Sequence, residues 1–263
     1  MKIVIVGGTG MIGSKLVEKL TQQGHEAVAA ARSTGVDTVT GAGLEPVLEG
    51  AAAVVDVSSS GYFDAGDMQR FFEASGPNLL AAERQAGVGH HVTLSAVGTG
   101  RVGSGYFRAK RPQEDIVVAS EIPFTIVRST PFFEYICDIV EASGDGGVIR
   151  LPPVRVQPIA ADDVAKALLR VVLGPPANGI IEIAGPDAYR LPVLAEEILA
   201  TNNDPRTIVA DDEAPYFGAR MGGEPLTGEH PRFASTSFEE WLRRSRITAP
   251  RPRLAGQHEG RNA

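Results

Sequence analysis

The chain has 263 residues, a net charge of −7 and a single cysteine. That length suits one large domain, or a domain with a small appendage, burying about 70–75% of its unfolded surface without staples. The acidic balance argues against nucleic acid as the main partner, the lone Cys137 excludes an intramolecular disulfide, and no apolar run reaches the eighteen or so residues that span a bilayer. With a strand at the very start and no secretory leader before it, a soluble cytoplasmic protein is expected.

The first predicted strand is Lys2-Ile-Val-Ile-Val6, a short run of β-branched residues suited to a buried parallel sheet. GGTGMIGSK follows. Gly8 and Gly13 have the spacing of a nucleoside-triphosphate loop, but that loop needs Gly-Lys-Ser/Thr, and here the order is Gly13-Ser14-Lys15. The lysine is displaced by about 100° around the helix. Gly7, Gly10 and Gly13 instead have the spacing of a dinucleotide-binding turn, in which the backbone approaches a pyrophosphate at a helix N-terminus. Met11, Ile12, Leu16, Val17 and Leu20 recur at helical spacing, and Gly24 stops that helix.

Further strands are predicted over Glu26–Ala31, Ala52–Val57, His91–Ser95 and Phe124–Arg128, with helices over Met68–Ala86 (broken near Gly76-Pro77) and Lys110–Ser120. The stretch 35–50 is glycine-rich and has no strand of its own. Alternating units mean a doubly wound parallel α/β sheet, Rossmann-like, covered on both faces, with sites at the carboxyl ends of the strands. Gly7–Gly13, Arg32, Ser58–Ser60, Ser95 and Ser129–Thr130 fall at those ends. Asp162 is expected to cap the helix Val164–Leu173, a strand over Gly179–Ala184 to rejoin the sheet, and Leu191–Thr201 to be helical. Residues 1–184 are thus read as the dinucleotide-binding domain, with 129–153 at the substrate mouth. Residues 185–248 form a small loop-rich C-terminal cap, and 249–263 a flexible tail. The arginines 243, 244, 246, 251, 253 and 261 are read as a basic helix end and solvated tail.

Arg32 lies 19 positions after Gly13. An acidic residue there would bond the adenosine ribose; an arginine suits a 2′-phosphate instead. Ala29, Ala30 and Ala31 have no side chain for the ribose, so Arg32-Ser33 points to NADP(H), the other reading being a surface arginine at a strand end. Tyr106 and Lys110 at i and i+4 share a helix face. The pair is either only that, or an acid–base pair in which the ammonium favours the phenolate and the tyrosine gives a proton to a carbonyl oxygen. The preceding dinucleotide turn favours the second. Ser95, at a strand end, could bond the same oxygen. His90-His91 is read as a surface pair at a strand entry, with no metal-ligand set around it. Glu134 is a candidate for the substrate mouth. Phe132, Phe133, Tyr135 and Tyr216 are either an aromatic wall or core, and Cys137 a buried filler near Phe132, Phe133 and Ile136.

GGTGMIG, Arg32, TLSAVG, the Tyr106/Lys110 pair and TIVRSTPFFEYI together resemble the atypical branch of the short-chain dehydrogenase/reductase superfamily, in its NmrA-like and NAD(P)H-binding quinone-reductase-like subgroup. PIAADDVAKAL and EIAGPDAYRL extend the resemblance to roughly residues 1–200. It implies that Gly7, Thr9, Gly10, Met11 and Ile12 hold a pyrophosphate, Arg32 a 2′-phosphate, and that Val57 and Ser58 line the adenosine side. It also implies a catalytic set of Ser95, Tyr106 and Lys110, the lysine also holding the ribose, with Thr130, Pro131 and Phe132 facing the nicotinamide. The expected activity is NADP(H)-dependent reduction of a carbonyl, quinone or conjugated enone of a small apolar molecule. The alternatives are an NADP(H)-sensing regulator without turnover and a non-redox lyase, isomerase or cyclase. No membrane or nucleic-acid partner is expected.

Overall fold

The computed structural model describes residues 1–61, 64–142, 144–145 and 147–247; the expected tail 249–263 and the arginines 251, 253 and 261 lie outside the described residues. In chain order the elements are β1 (Lys2–Val6), α1 (Met11–Gln22), β2 (Glu26–Ala30), α2 (Leu44–Leu48), β3 (Ala51–Asp56) and α3 (Ala65–Ala86). Then come β4 (His91–Ala96), α4 (Gly105–Ala119), β5 (Phe124–Ser129), α5 (Phe133–Ala142), β6 (Gly144–Asp145), β7 (Val148–Leu151) and β8 (Arg155–Val156). The chain continues through α6 (Ala161–Val172), β9 (Gly179–Ala184), β10 (Tyr189–Arg190), α7 (Leu191–Thr201), β11 (Thr207–Ala210), β12 (Arg232–Phe233) and α8 (Phe238–Ile247).

The central sheet has the order β2-β1-β3-β4-β5-β9-β12, and every neighbouring pair is parallel. β1 sits between β2 and β3, with Val4 opposite Val28 on one side and Val54 on the other. Its residues Ile3, Val4 and Ile5 are fully buried, which is why the run is apolar without alternation. α1 and α6 cover one face through Ile12, Leu16, Leu20, Val164 and Leu168; α3 and α4 pack together on the other. The chain leaves β1 for β2 and returns to β3 on the opposite side. That reversal opens a crevice at the strand ends, where α/β sheets bind ligands. As expected, 35–50 adds no strand; it holds only the short α2.

Helices α3 and α4 differ from expectation. α3 runs unbroken through Pro77 from an Asp64 cap, whose side chain accepts from the Asp67 amide at 2.8 Å. α4 starts at Gly105, five residues early, so Tyr106 and Lys110 both lie on it.

The chain beyond β9 does not stand apart. β12 returns to the edge of the main sheet beside β9. β6, β7 and β11 form a second sheet, and β8 pairs with β10. Leu194, Ile198, Phe238 and Trp241 share one apolar cluster with Phe107 of α4 and Phe133 and Ile136 of α5. Cys137 packs half-buried against that cluster.

Several side chains differ from expectation. His90 and His91 are buried, not at the surface. His91 Nδ1 lies 2.9 and 3.0 Å from the two Glu83 carboxylate oxygens, and His90 Nε2 lies 3.0 Å from Thr125 Oγ1. Burial alone would lower the pKa of His91, but the Glu83 carboxylate outweighs it and holds the imidazole above its ordinary value. Ala160, not Asp162, is the α6 N-cap; Asp162 sits in the first turn, paired with Lys19 at 2.6 Å and Lys166 at 2.9 Å. Glu134 does not reach the substrate mouth. Its Oε1 accepts from Trp241 Nε1 at 3.0 Å and its Oε2 from the Ala161 amide at 3.2 Å, tying α5 to α8 and to the start of α6. Phe133 is core, stacked on Trp241.

Candidate cofactor and substrate site

A cavity of about 520 Å³ opens at the carboxyl ends of the strands. Its wall contains all the residues expected to bind cofactor, Gly7, Thr9, Gly10, Met11, Ile12, Arg32, Ser33, Val57, Ser58, Lys110, Thr130, Pro131 and Phe132, together with Ser95 and Tyr106. The fold thus brings to one place residues scattered over 125 positions of sequence, from Gly7 to Phe132.

The glycine turn is built for close approach. Gly7 has φ +78°, and its amide donates to Ala30 O at 2.8 Å, locking the turn to β2. A Cβ on Gly13 would fall 2.2 Å from Gly7 O, so only glycine lets α1 close onto the turn. Gly10 is the α1 N-cap without a side-chain cap, and the first turn of α1 carries no acidic residue. Its amides and the positive end of the helix dipole are therefore left for an external anion.

At one end of the cavity, Arg32 starts a 3₁₀ turn just past β2. Its side chain is exposed, and its Nε lies 3.5 Å from Asp37 Oδ2. Ser58 is positioned by its amide, which donates to Asp56 Oδ1 at 2.9 Å. At the other end, Thr130 is held by its amide on Ile183 O at 3.0 Å. Its buried Oγ1 has no partner among the described residues. A buried hydroxyl without a bond is costly, so this atom suits a polar group brought by a ligand. The open helix terminus, the close-approach turn and the orphaned Thr130 hydroxyl all fit a dinucleotide.

Lys110 is nearly fully buried. Its Nζ donates to Leu94 O at 2.9 Å and to Gln113 Oε1 at 2.7 Å, and lies 4.4 Å from the centroid of Phe72. Burial lowers its pKa to about 8, with Asp56 and Glu114 opposing the shift. Tyr106 is half-buried, edge-on to Phe107 with centroids 5.7 Å apart and tilted 6.2 Å from Phe217. Ser95, expected to bond a substrate oxygen, gives its proton elsewhere. Its Oγ donates to Glu114 Oε1 at 2.5 Å, and Glu114 is also gripped by Arg128 at 2.9 and 2.6 Å.

Phe71, Phe132, Tyr135, Tyr216 and Phe217 add an aromatic wall. Phe132 stacks on Tyr135 at 4.8 Å, and burial pushes the Tyr135 phenol up to about 12. Phe71 and Phe217 were not legible as site residues. Phe71 is one of many apolar positions on α3, and Phe217 reaches the cavity only because its loop docks on α4. That docking is explicit: the Tyr106 amide donates to Phe217 O at 3.2 Å and the Arg220 amide to Ser104 Oγ at 3.2 Å. A Cβ on Gly105 would fall 2.4 Å from the Ala219 amide nitrogen. The only sequence signal was the aromatic pair Tyr216-Phe217 beside Gly218.

A seven-stranded parallel sheet with a glycine turn at its reversal point and a cavity over the strand ends defines the class: a Rossmann-like dinucleotide-binding fold. More particularly, the chain belongs to the NAD(P)H-binding family, which it matches over residues 7–175. It is similar to the chloroplastic divinyl chlorophyllide a 8-vinyl-reductase of Zea mays, at 27% identity over 75% of this chain and 58% of the relative. It is also similar to the photosystem II assembly factor Ycf39 of Synechocystis sp., at 30% identity over 36% of this chain and 33% of that one. The chain spans less than two thirds of the length of these curated relatives. Among solved structures it shares its fold with the Escherichia coli NADPH-dependent quinone oxidoreductase QOR2 in complex with NADPH (TM-score 0.63, 22% identity, 80% of this chain and 77% of that one). The fold is shared as well with the Thermus thermophilus UDP-glucose 4-epimerase complex with NAD (TM-score 0.67, 18% identity, 92% and 93%). Among the described residues, no helix is long and apolar enough to cross a membrane.

Proposed function

We propose that the chain is an NADPH-dependent reductase of a small, flat, largely apolar carbonyl compound, quinone or conjugated enone. One observation carries this reading: Tyr106 and Lys110 sit in the same cavity wall as the glycine turn on one side and the aromatic residues Phe132, Tyr135 and Phe217 on the other. The aromatic wall suits a flat substrate.

The N-terminus of α1 would hold the pyrophosphate and Arg32 the 2′-phosphate, since Ala30 and Ala31 offer the ribose no side-chain acceptor. Thr130 Oγ1 would meet the carboxamide end. Bound NADPH would supply the hydride. Lys110 would hold a ribose hydroxyl and keep positive charge near the reacting oxygen. Tyr106 gives that oxygen its proton. Ser95 is left out of proton delivery, because its own proton is committed to Glu114.

The experiment is NADPH oxidation by the purified protein against a panel of quinones, aldehydes and enones, with NADPH binding measured separately by its fluorescence. Turnover well above the enzyme-free rate supports the reading. Binding without turnover, combined with capture of a partner sensitive to the NADP⁺/NADPH ratio, favours a sensor. Product formation without net NADPH loss favours a lyase or isomerase.

A further inference from the structure

Behind the cavity wall, a continuous hydrogen-bonded chain joins β3 to α4. Lys110 Nζ donates to Gln113 Oε1 at 2.7 Å, and Gln113 Nε2 donates to Asp56 Oδ2 at 2.8 Å. The other carboxylate oxygen, Asp56 Oδ1, accepts the Ser58 amide at 2.9 Å. All three side chains are buried. The orientation of the Gln113 amide is forced, because an ammonium can only donate and a carboxylate can only accept. Asp56 is also the only suitable group of its reach. It must accept on both oxygens, whereas an asparagine would turn an NH₂ against either Gln113 or Ser58.

Two of the three Lys110 donors are taken, by Leu94 O and Gln113 Oε1. Its Nζ also lies 4.4 Å from the centroid of the Phe72 ring, and the side chain helps to form the cavity wall.

We infer that Asp56 and Gln113 are positioning residues for Lys110, and that they tie its ammonium to the 57–58 turn on the adenosine side of the cavity. The inference rests on the reading of Lys110 as the ribose contact. Asp56 ends β3, and Gln113 lies one turn beyond Lys110 on α4. The two ends of the cofactor path therefore share one rigid bridge: a shift of the turn at Ser58 moves the acceptor that orients the lysine. The charged groups around the bridge are Glu114 on α4, held by Arg128 and Ser95, and Glu83 on α3 with His91 on β4. Glu114 and Asp56 are the carboxylates that support the Lys110 charge against burial. Glu83 is committed to His91 and Glu114 to Arg128, so Asp56 is the carboxylate left to act through Gln113.

The test is NMR titration of the protein with ¹³C-labelled lysines, the Lys110 signal being assigned by its loss in Lys110→Arg. In the parent protein the midpoint should lie near pH 8. Asp56→Asn should lower it by about one pH unit, since an attracting charge is lost from a buried site. Gln113→Met, which keeps Asp56 and its bond to Ser58, should also lower it, by less. NADPH affinity near neutral pH should fall about tenfold in Asp56→Asn, the size of one charged hydrogen bond. It should fall no further when Asp56→Asn is added to Lys110→Met. An unchanged Lys110 midpoint in both variants overturns the inference, as does an equal NADPH loss from Asp56→Asn with and without Lys110. If the midpoints move but Lys110→Met leaves NADPH affinity intact, the bridge stands and the ribose assignment of Lys110 fails.

Discussion

Ser95 Oγ donates to Glu114 Oε1 at 2.5 Å, a bond that commits the hydroxyl proton of a serine at the end of a central strand to helix α4. Glu114 binds Arg128 through both oxygens, so the serine completes a buried charge cluster. Ser95→Ala should lower stability by about 1.5–3 kcal/mol, the usual worth of a hydrogen bond to a charged group. It should change kcat only a few-fold. Urea unfolding and steady-state rates check both. A kcat loss of about 10²–10⁴-fold would return the hydroxyl to the catalytic set.

Arg32 controls the cofactor prediction. NADPH should bind about 10- to 150-fold more tightly than NADH, the equivalent of roughly 1.5–3 kcal/mol for a charge-assisted contact. Arg32→Ala should remove most of that difference. Because the guanidinium is exposed, the preference should also shrink at high salt. Calorimetry with both cofactors measures it, and equal affinities in the parent protein reject the assignment.

Tyr106→Phe removes a hydroxyl and keeps the ring that packs on Phe107 and Phe217. NADPH affinity should be unchanged while kcat on a carbonyl substrate falls about 10²–10⁴-fold. With a quinone, whose product water can protonate, the loss should be smaller. Full activity on the best substrate would reduce the Tyr106/Lys110 pair to a helix face.

Lys110 gives a pH signature independent of turnover. Burial brings its folded pKa to about 8 from 10.5, so between these values the unfolded chain binds the proton and the folded chain does not. Its contribution should therefore make stability rise with pH across that window. Lys110→Met should flatten the rise, as followed by urea unfolding at a series of pH values.

The buried His91–Glu83 pair predicts the opposite slope. His91 holds its proton more firmly when folded, so its contribution is fully present below the ordinary histidine pKa and is lost as pH climbs through the raised value. Glu83→Leu alone leaves a buried imidazole unpaired and should cost about 3–5 kcal/mol. Adding His91→Leu should recover much of that loss, because the pair is then replaced by apolar volume. Chemical denaturation of the single and double variants distinguishes this from simple additivity.

Pattern alone was enough for the alternating α/β order, the dinucleotide turn, the absence of a strand over 35–50 and the gathering of the candidate site residues at the strand ends. These depend on local rules. A β-branched run between turns is a strand, a helix N-terminus without a cap invites an anion, and residues at parallel strand ends converge whatever lies between them. Tertiary structure decided where individual polar side chains point. His90 and His91 look like a surface pair because histidine is polar. Glu83, eight residues away on α3, and Thr125, on the neighbouring strand, make their burial tolerable. Glu134 looks like a mouth residue because it follows Phe132, yet Trp241 and the start of α6 claim both its oxygens. Ser95 is drawn to Glu114 by the same packing that seats Arg128. In each case the deciding partner is brought by packing rather than by any local pattern, and a buried polar atom takes the bond that packing brings within reach.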